Sequence, residues 1–225
     1  MPVQRWVPRY SLCYNIMMKY LLTATLISIL VPATAAAQNL DVPSIIAGLA
    51  QPAQTNTDFA EARFSPLLKA PVVVSGVLGY GGPQALDRHV LVPYLEDTEI
   101  RSDTIRVNRE GEAERTFALG RAPELQGLLH AFSALLSGDH AAIEHDFTIE
   151  ASGTAEQWTL HLIPRDRKIR QRIRDIRIDG QRTVPQCFWM DRDSESFSVM
   201  LLGVVAHIEL PEPLTRDWLQ TRCAE

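Results

Sequence analysis

The clearest hydrophobic pattern in the chain lies between Pro123 and Ser137. Its apolar residues recur three or four positions apart, as on one face of a helix; they are Leu125, Leu128, Leu129, Phe132, Leu135 and Leu136. Proline suits the first turn of a helix, and Gly138 suits the position after the last turn. The pattern predicts a helix whose apolar face covers a core. A shorter helix is predicted over Val42 to Leu49, with Pro43 in its first turn.

Most of the remaining pattern is typical of short strands separated by turn residues. Pro71 to Tyr80 is a β-branched run that ends at Gly81-Gly82-Pro83, and Asp179-Gly180 is a strong hairpin signal. The other predicted strands are residues 59–64, 88–95, 98–102, 104–108, 114–119, 146–152, 157–163, 182–190 and 196–205. Because the connections are short, the strands are expected to pair antiparallel.

Together these elements predict a mainly β fold with helices, of the α+β class. An eight-stranded barrel is about filled by its own side chains, so about ten strands curved round one side would enclose extra space. The helix between Pro123 and Ser137 is well placed to cover that space. We predict a strongly curved antiparallel sheet, an incomplete β-barrel of about ten strands, with a helical lid on its concave face.

Residues 1–37 have the features of an export segment. Lys19 precedes an apolar run from Tyr20 to Val31, and small residues follow up to Ala35-Ala36-Ala37. A positive start, a short apolar core and an A-x-A site form a Sec secretory signal. We predict cleavage after Ala37, which leaves residues 38–225 as one mature domain.

The native start is expected at Met17 or Met18, because the stretch before them resembles an over-long gene start. An uncleaved anchor is the alternative; it is disfavoured because a membrane span needs about 20 apolar residues. The signal is of a bacterial style, so the expected location is the Gram-negative periplasm.

The charge balance argues against a nucleic-acid footprint, which needs a basic excess. The chain has 22 Lys and Arg against 27 Asp and Glu, and removal of residues 1–37 takes its net charge from -5 to -8. A basic run from Arg165 to Arg177 is interleaved with Asp166 and Asp175, which favours a solvated strand face. A docking surface for an acidic partner or an anionic lipid headgroup is the alternative.

Motifs for catalysis and cofactor binding are absent from the sequence. It has no G-x-S-x-G elbow, no Walker lysine loop and no G-x-G-x-x-G between a strand and a helix. His140 and His145 have a spacing that matches no standard zinc motif. Glu61 and Arg63 could form an ion pair or point to solvent. We therefore expect no enzyme activity, no metal site and no cofactor.

Two cysteines, Cys187 and Cys223, belong to the mature chain. An isolated pair in an oxidising compartment usually forms a disulfide. The bridge would hold the C-terminal tail, Pro211 to Glu225, against a strand.

The order of several motifs resembles that of the LolA-type lipoprotein carrier family. The matching segments are Phe59 to Glu61, Gly76 to Tyr80, Pro83, Pro123 to Leu129, Trp158 to Pro164 and Ile173 to Met200. The resemblance implies an incomplete β-barrel with a helical lid that carries acylated lipoproteins across the periplasm. It implies an inner-membrane donor protein and an outer-membrane acceptor protein as partners, and we expect a monomer.

The chain departs from the principal branch of this family at Gly82, where members have an arginine that helps to hold the lid shut. It is therefore expected to be a divergent member, whose cargo is a lipoprotein or another lipid such as a glycolipid or a pigment lipid. A lipid-sensing or scaffold protein on the same half-barrel is one alternative function, and a lipid hydrolase is a second.

Apolar residues on the predicted inner faces are expected to line a lipid-binding cavity. They are Leu67, Val72, Val74, Leu78, Tyr80, Leu91, Phe117, Leu125, Leu128, Leu129, Phe132, Leu135, Phe147, Trp158, Leu160 and Leu162. On this interpretation, Leu128→Asp or Phe132→Asp should abolish lipid binding more than folding.

Overall fold

A computed structural model describes residues 40–225, apart from the side chains of Pro123, Glu124 and Leu128. The predicted signal segment and its cleavage site lie outside the described residues. Eleven strands form one antiparallel sheet in the order β6-β5-β4-β3-β2-β1-β11-β10-β9-β8-β7. They are β1 Thr55–Phe64, β2 Val72–Gly82, β3 Ala85–Val92, β4 Glu96–Arg101, β5 Thr104–Arg109, β6 Arg115–Ala118, β7 Phe147–Gly153, β8 Gln157–Pro164, β9 Asp175–Gln181, β10 Val184–Asp191 and β11 Phe197–Leu202. The sheet does not close, so the predicted incomplete barrel is confirmed.

Five α-helices accompany the sheet: α1 Val42–Gly48, α2 Pro123–Ser137, α3 His140–Asp146, α4 Arg167–Arg170 and α5 Arg216–Cys223. Strands β6 and β7 are the two edges of the sheet. Helices α2 and α3 connect them in the chain and so bridge the opening of the sheet. Gly138 ends α2 in the left-handed conformation with φ 68°, which glycine adopts without strain. Asp139 then accepts a hydrogen bond from Ala142 N and begins α3. None of the helices in residues 40–225 has the length and apolar character needed to cross a membrane.

The concave face of the sheet holds the main hydrophobic core, and α2 packs directly into it. Leu129, Phe132 and Leu135 are buried there. The rings of Phe132 and Phe188 on β10 lie 4.5 Å apart. Gly127 lets α2 lie close to the segment that follows α4, because a Cβ at that position would lie 2.8 Å from Ile173 Cδ1.

The outer face of β1, β10 and β11 carries a second core, beneath the C-terminal segment. Trp189 and Val199 are buried there together with Leu219 of α5. The sequence predicted only a tail over Pro211 to Glu225; the structure has helix α5 within it, which begins where the Thr215 hydroxyl accepts a hydrogen bond from Trp218 N. A disulfide joins Cys187 of β10 to Cys223 of α5, with their Cα atoms 5.7 Å apart.

The basic stretch from Arg165 also differs from its predicted form as a strand face. Asp166 accepts hydrogen bonds from Lys168 N and Ile169 N. These bonds begin the short helix α4, so strand β9 starts only at Asp175.

We expect removal of the disulfide to lower the free energy of unfolding by about 2–4 kcal/mol. The two cysteines are 36 residues apart, so their bond restricts a long loop of the unfolded chain. Urea denaturation of the Cys187→Ala/Cys223→Ala variant would measure the loss, with reduced wild-type protein as the matched control. A variant as stable as the oxidised wild type would show that the bond does not secure α5.

Candidate functional site

A cavity of about 780 Å³ opens in the concave face beside the start of α2. Small-molecule sites in proteins usually occupy about 300–1,000 Å³. Its apolar wall consists of Phe64, Leu68, Val107, Ala122, Leu125, Phe188, Met190, Phe197 and Met200.

Seven charged residues line this cavity beside the apolar wall, and four of them form one cluster: Glu61, Arg63, Arg88 and Glu96. Glu61 on β1 receives hydrogen bonds from Arg63 Nε at 2.8 Å and from Arg88 Nη2 at 2.7 Å. Arg88 Nη1 lies 3.5 Å from Glu96 Oε1. The Glu61 and Arg88 side chains are 7% and 9% exposed, whereas that of Arg63 is 50% exposed. The cluster therefore runs from the solvent edge of the cavity to its buried wall.

Strand alternation explains why charged groups lie inside. Glu61 is two residues after the buried Phe59, and Arg88 lies between the buried Leu86 and Val90. Residues two apart share a face of a strand, so both charged side chains point to the concave side. The sequence allowed a Glu61–Arg63 ion pair or solvated side chains; the structure has the ion pair and adds Arg88. The alternation of apolar residues along this strand could have predicted that the Arg88 side chain points inward.

The electrostatics of the cluster keep Glu61 ionised. Burial alone would raise the Glu61 pKa, but hydrogen bonds and charges from Arg63 and Arg88 outweigh it and lower the pKa below 4.5. Burial likewise acts to lower the pKa of Arg63, but its bonds to Glu61 raise that pKa above its ordinary value. The site thus presents fixed ionic groups at neutral pH.

The predicted lipid-binding residues are distributed over three environments. Leu125 lines the cavity. Nearly all the others are buried or partly buried in the interior, namely Val74, Leu78, Tyr80, Phe117, Leu129, Phe132, Leu135, Phe147, Trp158, Leu160 and Leu162. Leu67, Val72 and Leu91 are exposed. The side chain of Leu128 lies outside the described part of the structure.

Two further cavities are present in the described residues. One of about 280 Å³ is lined by Leu119, Leu129 and His130. The other, of about 890 Å³, lies between the β1–β2 loop and the C-terminal segment and is lined by residues that include Val73 and Leu214. No group of three His, Cys, Asp or Glu side chains within residues 40–225 is positioned to hold a metal ion.

The sequence model of the family described as outer membrane lipoprotein carrier protein LolA-like matches residues 34–207. The chain belongs to this family. The description of the family is that of carrier proteins for outer membrane lipoproteins. The family assignment predicted from the motif order is confirmed.

Among solved structures, this LolA-like protein is similar to a LolA superfamily protein from Nitrosomonas europaea, with 11% identity, a TM-score of 0.39 and coverage of 78% of this chain and 96% of that one. It is also similar to LprF from Mycobacterium bovis, with 12% identity, a TM-score of 0.34 and coverage of 78% and 94%. No curated protein matches the LolA-like chain in sequence.

Proposed function

We propose that this LolA-like protein is a periplasmic carrier that binds the acyl chains of a lipoprotein or another lipid and passes them toward the outer membrane. The cavity of about 780 Å³ beside the start of α2 is the observation that carries the proposal. Its wall offers Leu125, Phe188 and Met200 to an acyl chain, and flexible methionine side chains adapt to chains of different shape.

Burial of an acyl chain supplies enough free energy for binding, so no covalent or catalytic step is needed. Each buried CH₂ contributes about 0.8 kcal/mol, so a 16-carbon chain gains on the order of 12 kcal/mol before ordering costs. Transfer then requires an acceptor with a higher affinity than the carrier has. We propose an inner-membrane donor and an outer-membrane acceptor as partners, and a monomeric carrier between them.

Leu125→Asp should weaken acyl-chain binding at least about tenfold. The substitution places a carboxylate against the acyl chain in the apolar wall, where burial of an unpaired charge is unfavourable. Fluorescence titration with a pyrene-labelled monoacylglycerol, whose head group is uncharged, measures the affinity.

Val204→Asp is the matched control, because Val204 is 82% exposed and lies outside the cavity wall. It should bind the probe as the wild type does, and thermal unfolding should show both variants folded. Equal affinity of the two variants, or no binding by the wild type, would contradict the carrier proposal.

A further inference from the structure

Arg88 has an unused hydrogen-bond donor at the wall of the cavity. Its side chain is 9% exposed. Nη2 donates to Glu61 and Nη1 faces Glu96, but Nε has no acceptor among the described residues. A buried charged donor without an acceptor is unfavourable, and such a group in a folded protein calls for an explanation. Arg88 lines the cavity, so a small shift of its guanidinium group would let an oxygen of a bound ligand supply the missing acceptor.

The cavity wall also carries more positive than negative charge. Arg63, Arg88, Arg115 and Arg192 line it, against Glu61, Glu96 and Asp193. The single carboxylate of Glu61 receives hydrogen bonds from two guanidinium groups, those of Arg63 and Arg88. Glu96 is shared as well, since Arg109 Nε lies 3.6 Å from it. Glu112 in turn lies near both Arg109 and Arg115. These ion pairs join four arginines to three glutamates, and the excess of one positive charge favours an anion over a neutral or cationic group.

The shape of the cluster fits an anion that enters from the open side. Arg63, half exposed, and Arg88, buried, are bonded to the same carboxylate of Glu61. Glu61 therefore acts as a positioning residue that holds both guanidinium groups in place. Planar guanidinium groups bind carboxylate and phosphate oxygens in pairs, and such charge-assisted bonds are the strong ones.

We infer that the cavity selects amphiphiles with an anionic head group, a carboxylate or a phosphate, which Arg63 and Arg88 bind while the acyl chain contacts Leu125 and Met200. This inference rests on the proposed carrier function and adds the class of lipid. Glu61 and Arg88 are then part of the binding site and not solely a structural ion pair.

The test compares three competitors with the same 16-carbon chain: hexadecanol, hexadecanoate and hexadecyl phosphate. Each displaces the pyrene-labelled monoacylglycerol from the wild-type protein at pH 8. Both anions, or the one whose head group the site fits, should bind at least about tenfold more tightly than hexadecanol, because charge-assisted bonds are added to the same apolar contacts. The two anionic competitors distinguish a carboxylate from a phosphate source.

Arg88→Gln should reduce the preference for anions to about threefold or less while the affinity for hexadecanol stays near its wild-type value. Arg106→Gln is the matched control, because Arg106 pairs with Glu99 on the outer face of the sheet. If Arg88→Gln fails to fold, Arg63→Gln takes its place, since Arg63 is half exposed.

Equal binding of hexadecanol and both anions by the wild type would overturn the inference and leave the carrier function intact. A preference that survives in both arginine variants would overturn the assignment to these residues. Failure of all three competitors and of the probe to bind would instead contradict the carrier function itself.

Discussion

Phe132→Asp should unfold the protein. Phe132 is buried in the concave core, where it lies behind the cavity residue Phe188 with 4.5 Å between ring centroids. Loss of a buried phenylalanine costs about 3–5 kcal/mol, and burial of an unpaired carboxylate adds further cost. The total rivals the whole stability of a typical domain, about 5–15 kcal/mol. Circular dichroism with thermal unfolding would show the loss.

The sequence alone predicts that Phe132→Asp abolishes lipid binding more than folding, and the burial of Phe132 reverses that order. Phe132→Leu is the control, because it keeps an apolar side chain and should cost less than about 2 kcal/mol. A Phe132→Asp protein that unfolds at the wild-type temperature but binds no lipid would show that the cavity extends beneath the middle of α2.

Glu61→Leu should lower the free energy of unfolding by about 3–5 kcal/mol. The substitution leaves Arg88, with a side chain 9% exposed, beside the ring of Phe59 without its main counter-ion. Removal of one partner from a buried ion pair leaves an uncompensated charge, which is the costly case. Urea denaturation at neutral pH would measure the loss.

Two comparisons separate this cause from loss of packing. Glu61→Leu/Arg88→Met should recover more than half of the lost stability, because apolar replacement of both partners is often neutral. Glu99→Leu removes an ion-pair partner of Arg106 on the outer face and should cost less than about 1 kcal/mol. Equal losses in the Glu61 and Glu99 variants would contradict the buried placement of Glu61.

The same residue should give the protein a pH-dependent stability. The folded-state pKa of Glu61 lies below its ordinary value of 4.5, so its contribution is present above pH 4.5 and is lost as the pH falls through the folded pKa. The stability difference between wild type and Glu61→Leu should therefore shrink as the pH falls below 4.5. A difference that stays constant down to acid unfolding would show that the ionised carboxylate contributes nothing.

Elements with local signals could be predicted from the sequence. Helix α2 has an apolar face at helical spacing and ends at Gly138. Both properties depend only on residues that are close together in the sequence. Helix α5 has a weaker signal, because few of its side chains are apolar. It is held by long-range contacts of Leu219 and by the disulfide at Cys223, which periodicity does not reveal.

The position of the cavity could not be predicted in the same way. Leu125 and Phe132 lie on the same apolar face of α2, and periodicity treats them alike. They differ in what the distant strands place opposite them: Phe132 meets Phe188, whereas Leu125 borders the void. A periodic pattern tells which side chains point inward and not whether the space before them is filled.

Native mass spectrometry of the wild-type protein, isolated from the periplasm without detergent, would show directly whether the cavity beside the start of α2 holds a lipid. We expect an acyl lipid bound to the wild type and to Val204→Asp and absent from Leu125→Asp. A wild-type protein that carries no lipid, or a lipid that stays bound to Leu125→Asp, would contradict this expectation.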